Sequence, residues 1–94
     1  METVMRVFKY EIPIEDEPMV RLPVGALLLS VGNQAEKLFL WALVDPAVTA
    51  TVRRYFRVAG TGHEITEANS LAFIGTVQFH GGALIFHVFE RHDL

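Results

Sequence analysis

Residues 71–90 read LAFIGTVQFHGGALIFHVFE, and this stretch decides the fold. Two apolar runs, LAFIGTVQF and ALIFHVFE, flank a tight HGG turn. Gly81 and Gly82 can supply the positive φ values that a hairpin turn requires. The stretch therefore predicts two antiparallel strands. Working backwards, the same grammar recurs. VRRYFRVAG (52–60) predicts a strand that ends in the polar loop GTGHEITEANS. LFLWALV (38–44) and ALLLSV (26–31) predict a hairpin across GNQAEK, with residues 32–34 turning the chain. Asp45-Pro46 breaks the later of these two strands, because proline cannot donate to a ladder. MVRL (19–22) is a brief strand. VMRVFKYEI alternates with period 2, with Phe8, Tyr10 and Ile12 on one face, until Pro13 and the acidic EDEP end it. About seven short strands without a convincing amphipathic helix predict a small all-β antiparallel sandwich or barrel. The 94 residues are expected to form one domain, 1–94.

The fourth strand is apolar on both faces. Leu38, Leu40, Ala42 and Val44 alternate with Phe39, Trp41 and Leu43. One set should fill the core, and the other needs cover from the same chain or a second subunit. The composition agrees: 51% hydrophobic residues is high for a domain whose size leaves much surface exposed. A homo-oligomer is expected. The formal net charge of −3 argues against general nucleic-acid binding, which needs a positive field. With no cysteine, disulfides, thiolate metal sites and thiol catalysis are excluded. The N-terminal residues carry charges where a signal peptide needs an apolar run, and no apolar stretch is long enough to span a membrane as a helix. A cytoplasmic protein is expected, without membrane contact.

Two features could carry function. In VRRYFRV, period 2 places Arg53, Tyr55 and Arg57 on one face and Val52, Arg54, Phe56 and Val58 on the other. Guanidinium forks around an aromatic ring suit a phosphate or a nucleobase. The competing reading is a solvated strand face whose arginines pair with Glu11, Glu15 or Glu17. The glycine loop GTGHE (60–64) follows directly. It lacks the lysine and the following helix of a nucleotide-hydrolase loop, but its amides could still form an anion nest. Thr61 and His63 therefore join Arg53, Tyr55 and Arg57 as expected ligand-binding residues. His63 and Glu64 should point apart on extended backbone, so no dyad is expected. The histidines 63, 80, 87 and 92 have no zinc-ligand spacing. No serine sits in a nucleophile elbow, and the EDE run reads as a solvated loop. No catalytic residue, metal or cofactor is expected.

The chain resembles a family of short bacterial and phage-encoded proteins of unknown function. The resemblance rests on VFKYEI, LPVGALLLSV, LWALVDP, RYFRVAGTGHEI, FIGTVQ and HVFE, and covers nearly the whole length. It implies an accessory phage or prophage protein, at work in the host cytoplasm, and assigns no role to any residue. Taken together, these readings lead to a non-enzymatic binding protein. It would sequester a small anionic or nucleotide ligand, in a pocket between subunits, or bind a host protein. The alternative is a structural adaptor with no small-molecule ligand.

Overall fold

The computed structural model describes residues 2–92. Seven strands run in chain order: β1 (Arg6–Glu11), β2 (Met19–Pro23), β3 (Leu27–Gln34), β4 (Lys37–Val44), β5 (Thr51–Gly60), β6 (Leu71–Phe79) and β7 (Leu84–Arg91). They form two antiparallel sheets, one ordered β1-β4-β3 and one ordered β2-β5-β7-β6. The molecule is thus a β-sandwich, as the alternation and turn spacing predict. Among the described residues, no helix is long and apolar enough to cross a membrane.

Alternation selects the core. In β4, Leu38, Leu40, Ala42 and Val44 are the buried set. Their counterparts on the other sheet are Phe56 and Val58 of β5, Val77 and Phe79 of β6, and Val88 of β7. Each large side chain removed from water in this layer contributes about 1.5–3 kcal/mol. Phe39, Trp41 and Leu43 occupy the outer face of the three-stranded sheet, half-buried. Trp41 gains its cover from Gly32 on β3, whose missing side chain lets the indole pack on the backbone.

Two β-bulges reset the alternation. The β3–β4 register shifts between Leu28 and Ser30, and the β6–β7 register shifts between Phe73 and Gly75. Each adds one residue to its strand, so Leu28 and Val31 both face the core side of β4, opposite Ala42 and Leu40. The edges β3 and β6 lie side by side, joined by a hydrogen bond from Asn33 Nδ2 to the Gln78 carbonyl (3.0 Å).

The β6–β7 turn matches expectation, with positive φ at His80, Gly81 and Gly82. The β3–β4 turn does not fall on residues 32–34. Those residues continue the strand, and the chain reverses at Ala35 and Glu36, with φ of 53° and 60°. Neither residue favours the left-handed region. The turn is held instead by Asn33 Oδ1, which accepts the Glu36 amide (2.9 Å), and by Glu36 Oε2, which accepts the His80 amide (3.2 Å).

One ionic contact lies on the core side. Arg54 of β5 and Glu90 of β7 stand at inward positions, and Glu90 is buried. The guanidinium donates to both carboxylate oxygens (Nε to Oε2, 2.5 Å; Nη2 to Oε1, 3.0 Å) and to the Ala26 carbonyl (3.0 Å). This fork geometry satisfies both partners where water is scarce. Truncating one partner strands the other. Glu90→Ala is expected to lower unfolding free energy by roughly 2 kcal/mol, less than for a fully buried pair because Arg54 keeps some solvent contact. The double variant Arg54→Met/Glu90→Leu is expected to recover most of that loss in urea denaturation.

Candidate functional site

The outer face of the four-stranded sheet gathers most of the residues singled out from the sequence. Phe56 and Val58 point into the core, so Arg53, Tyr55 and Arg57 point outward together. Register extends this row onto neighbouring strands. Arg53 stands opposite Arg21 of β2, and Tyr55 lies between Met19 of β2 and Arg91 of β7. Arg57 stands opposite Phe89 of β7, which in turn faces Phe73 of β6. The Phe73 and Phe89 rings meet edge to face, with centroids 5.5 Å apart. Phe73 remains 61% exposed.

The arginines of this face fall into two groups. Arg57 is committed to the fold. Its Nη1 donates to the carbonyls of Val58 (3.0 Å) and Asp16 (3.3 Å), and its Nη2 to the carbonyl of Glu64 (3.2 Å). It also pairs with the Asp16 carboxylate at 3.3 Å. It therefore ties the 13–18 loop to the loop that follows β5. Arg91 bridges Glu17 (2.6 Å) and Glu67 (2.7 Å). Of the stripe arginines, Arg57 is thus neutralised by an acidic neighbour and, among the described residues, Arg53 is not, and Arg91, outside the stripe, takes the Glu17 and Glu67 carboxylates. The partners are Asp16, Glu17 and Glu67, and not Glu11 or Glu15.

Arg21 and Arg53 differ. Both are exposed, and neither has a carboxylate or hydrogen-bond partner among the described residues. They are directly opposed across an antiparallel pair. Like charges in that position are destabilising. Tyr55 and Met19 form the next cross-strand pair along the same face. The result is a small cationic seat against an aromatic and a thioether wall. Arg21 could not be assigned to this seat from the sequence, because strand order sets its partner.

The glycine loop divides between the two faces of the sheet. Thr61 belongs with the outer face: its Oγ1 lies 2.8 Å from His87 Nε2, while Thr76 Oγ1 lies 2.9 Å from His87 Nδ1. Both nitrogens of the His87 ring are thereby engaged by hydroxyl groups. His63 lies on the other face. Its ring rests against Gly60, where a Cβ would come within 2.9 Å of it. It stands between two adjoining clefts of about 310 and 220 Å³, both lined by Gly60, His63 and Phe86. His63 thus packs at the Gly60 end of β5, most of the strand's length from Arg53, and Thr61 lines the first of these clefts with it. Among the described residues, no group of three histidines or carboxylates is placed to hold a metal ion.

A two-sheet β-sandwich with an arginine–aromatic outer face is the class that these features define. Residues 4–94 match the family described as "Domain of unknown function (DUF7352)", and the chain belongs to that family. Comparison with curated proteins and with solved structures found no match.

The split among the arginines is measurable. Arg57→Ala is expected to cost about 1–2 kcal/mol of stability and to speed amide exchange in residues 61–67, because their link to the 13–18 loop is lost. Arg53→Ala is expected to change stability by less than about 0.5 kcal/mol, or to raise it slightly.

Proposed function

We propose that this domain is a non-enzymatic binding protein that holds a small phosphate-bearing ligand, a nucleotide, on the outer face of its four-stranded sheet. The observation that carries the reading is the cross-strand pair Arg21 and Arg53, opposed with no carboxylate partner for either among the described residues. An anion between them converts a repulsion into two charge-assisted contacts. Tyr55, beside them, offers a ring face for a base. Arg57 and Thr61, bound into the fold, frame this face and do not contact the ligand. His63 takes no part. The net charge of −3 fits a local anion seat better than a nucleic-acid groove. The resemblance of the strand segments and the GTGH loop to short phage and bacterial proteins supports a phage or prophage accessory role in the host cytoplasm, with sequestration as its mode of action.

Isothermal titration with a panel of linear and cyclic nucleotides tests this directly. At least one member is expected to bind. Arg53→Ala and Arg21→Ala should each abolish the heat, and Arg57→Ala should retain it in whatever fraction stays folded. Silence across the panel, or unchanged binding by the Arg53 and Arg21 variants, counts against the proposal.

A second reading, an adaptor for a host protein, is favoured by the uncovered outer face of the three-stranded sheet, where Phe39 and Trp41 are half-buried. In that case Trp41→Ala should lose a specific host protein in pull-downs while Arg53→Ala keeps it. No loss with Trp41→Ala removes this reading.

A further inference from the structure

Of the sheet edges, that of β1 stands open. β2 is only five residues long, and prolines at 18 and 23 flank or end it. The edges of β3 and β6 shield each other through Asn33 and Gln78. β1 pairs with β4 alone, and no backbone hydrogen bond among the described residues joins it to another segment.

The direction of its free groups follows from the register. The Ile12 amide donates to the Leu38 carbonyl (2.9 Å), which makes Ile12–Leu38 a hydrogen-bonded pair. Antiparallel pairs alternate between hydrogen-bonded and non-bonded. Tyr10, Phe8 and Arg6 therefore bond to β4, and the amides and carbonyls of Val7, Lys9 and Glu11 face outward, unpaired.

Two side-chain observations concern the same strand. Phe8 stands opposite Ala42, a fully buried core residue, so it points toward the core side of its sheet. It is nevertheless 44% exposed, so the core is left incomplete at this margin. Lys9, the residue type that commonly guards an edge, is drawn away from it. Its ammonium bonds Gln34 Oε1 (2.6 Å) and sits 4.6 Å from the Phe39 ring centroid.

We propose that the partner of this edge is a second copy of the chain, with β1 pairing antiparallel to β1 across a two-fold axis. The two three-stranded sheets then join into one. The exposed Phe8 selects the register, since a two-fold through Tyr10 would pair Lys9 with Glu11 but leave Phe8 opposite Ile12, which is already buried. A two-fold through Lys9 sets Lys9 against Lys9 and Val7 against Glu11, so neither an opposite-charge nor an apolar pair forms on that face. A two-fold through Phe8 sets Phe8 against Phe8, Val7 against Lys9 and Arg6 against Tyr10. The aromatic pair then falls at a non-hydrogen-bonded position, where side chains are closest. Arg6 gains a ring partner. Val7 and Lys9 exchange the unpaired backbone bonds. A foreign peptide strand could use the same backbone groups, but it would not complete the Phe8 margin by symmetry.

The chain has no cysteine, so single cysteines report the register without interference. Sedimentation of the full chain is expected to give twice 10.6 kDa. Phe8→Cys should oxidise to a disulfide-linked dimer, since a non-bonded pair has a Cα separation of about 4.5 Å, within disulfide range. Lys9→Cys should not cross-link. Val7→Pro removes a donor on the open edge and none from the β1–β4 ladder, and should be folded by circular dichroism yet monomeric. A monomeric wild-type protein, a Val7→Pro protein that still dimerises, or preferential cross-linking through Lys9→Cys overturns the proposal.

Discussion

The facing of β5 is the constraint on which the rest of the structure depends. Three inward residues set it: Phe56 and Val58 in the apolar layer, and Arg54 locked onto Glu90 of β7. Slipping the strand by one residue would drive Arg53, Tyr55 and Arg57 into the core, two guanidiniums where the inward face holds one buried carboxylate, Glu90. The Arg54–Glu90 fork adds little net energy by itself. Its effect is to penalise every other register, since either charge without the other would be stranded. The outward row of β5 is thus a consequence of what its inward row must bury.

From that row the surface chemistry follows by strand order. β7 brings Phe89 and Arg91 alongside, and β2 brings Arg21 and Met19. Two arginines are then neutralised by the acidic loops, Arg57 by Asp16 and Arg91 by Glu17 and Glu67. Those contacts hold the loops against the sheet. The remaining pair, Arg21 and Arg53, is left as a concentrated positive site on a protein whose net charge is negative. Such contrast between local and overall charge suits a compact anion better than an extended polyanion.

Much of this was legible in the sequence, for identifiable reasons. The strands were readable because proline, glycine and asparagine punctuate them, and the two faces of β5 because its alternation is strict. The β3–β4 turn was misplaced because Ala35 and Glu36 adopt positive φ without being glycine or asparagine; side-chain bonds from Asn33 and Glu36 compensate. The bulges near Leu29 and Ile74 were hidden inside runs apolar on both faces, where alternation has no contrast. Arg21 escaped notice because a cross-strand partner is a property of strand order. His63 was grouped with Arg53 by chain proximity alone, and most of the length of β5 separates them. The inward Arg54 carried a readable signal, a charge in line with Phe56 and Val58, but its pairing with Glu90 depends on strand order.

The proposed assignment has Arg21 and Arg53 as the ligand seat, while Arg57 and Arg91 hold the acidic loops. Arginine side-chain NMR during nucleotide titration addresses it residue by residue. The Nε–Hε signals of Arg21 and Arg53 are expected to shift together and saturate, while those of Arg57, Arg91 and Arg54 stay in place. Shifts centred on Gly60 and His63 with Arg21 and Arg53 unmoved would contradict it, and would place the ligand in the clefts beside His63 instead.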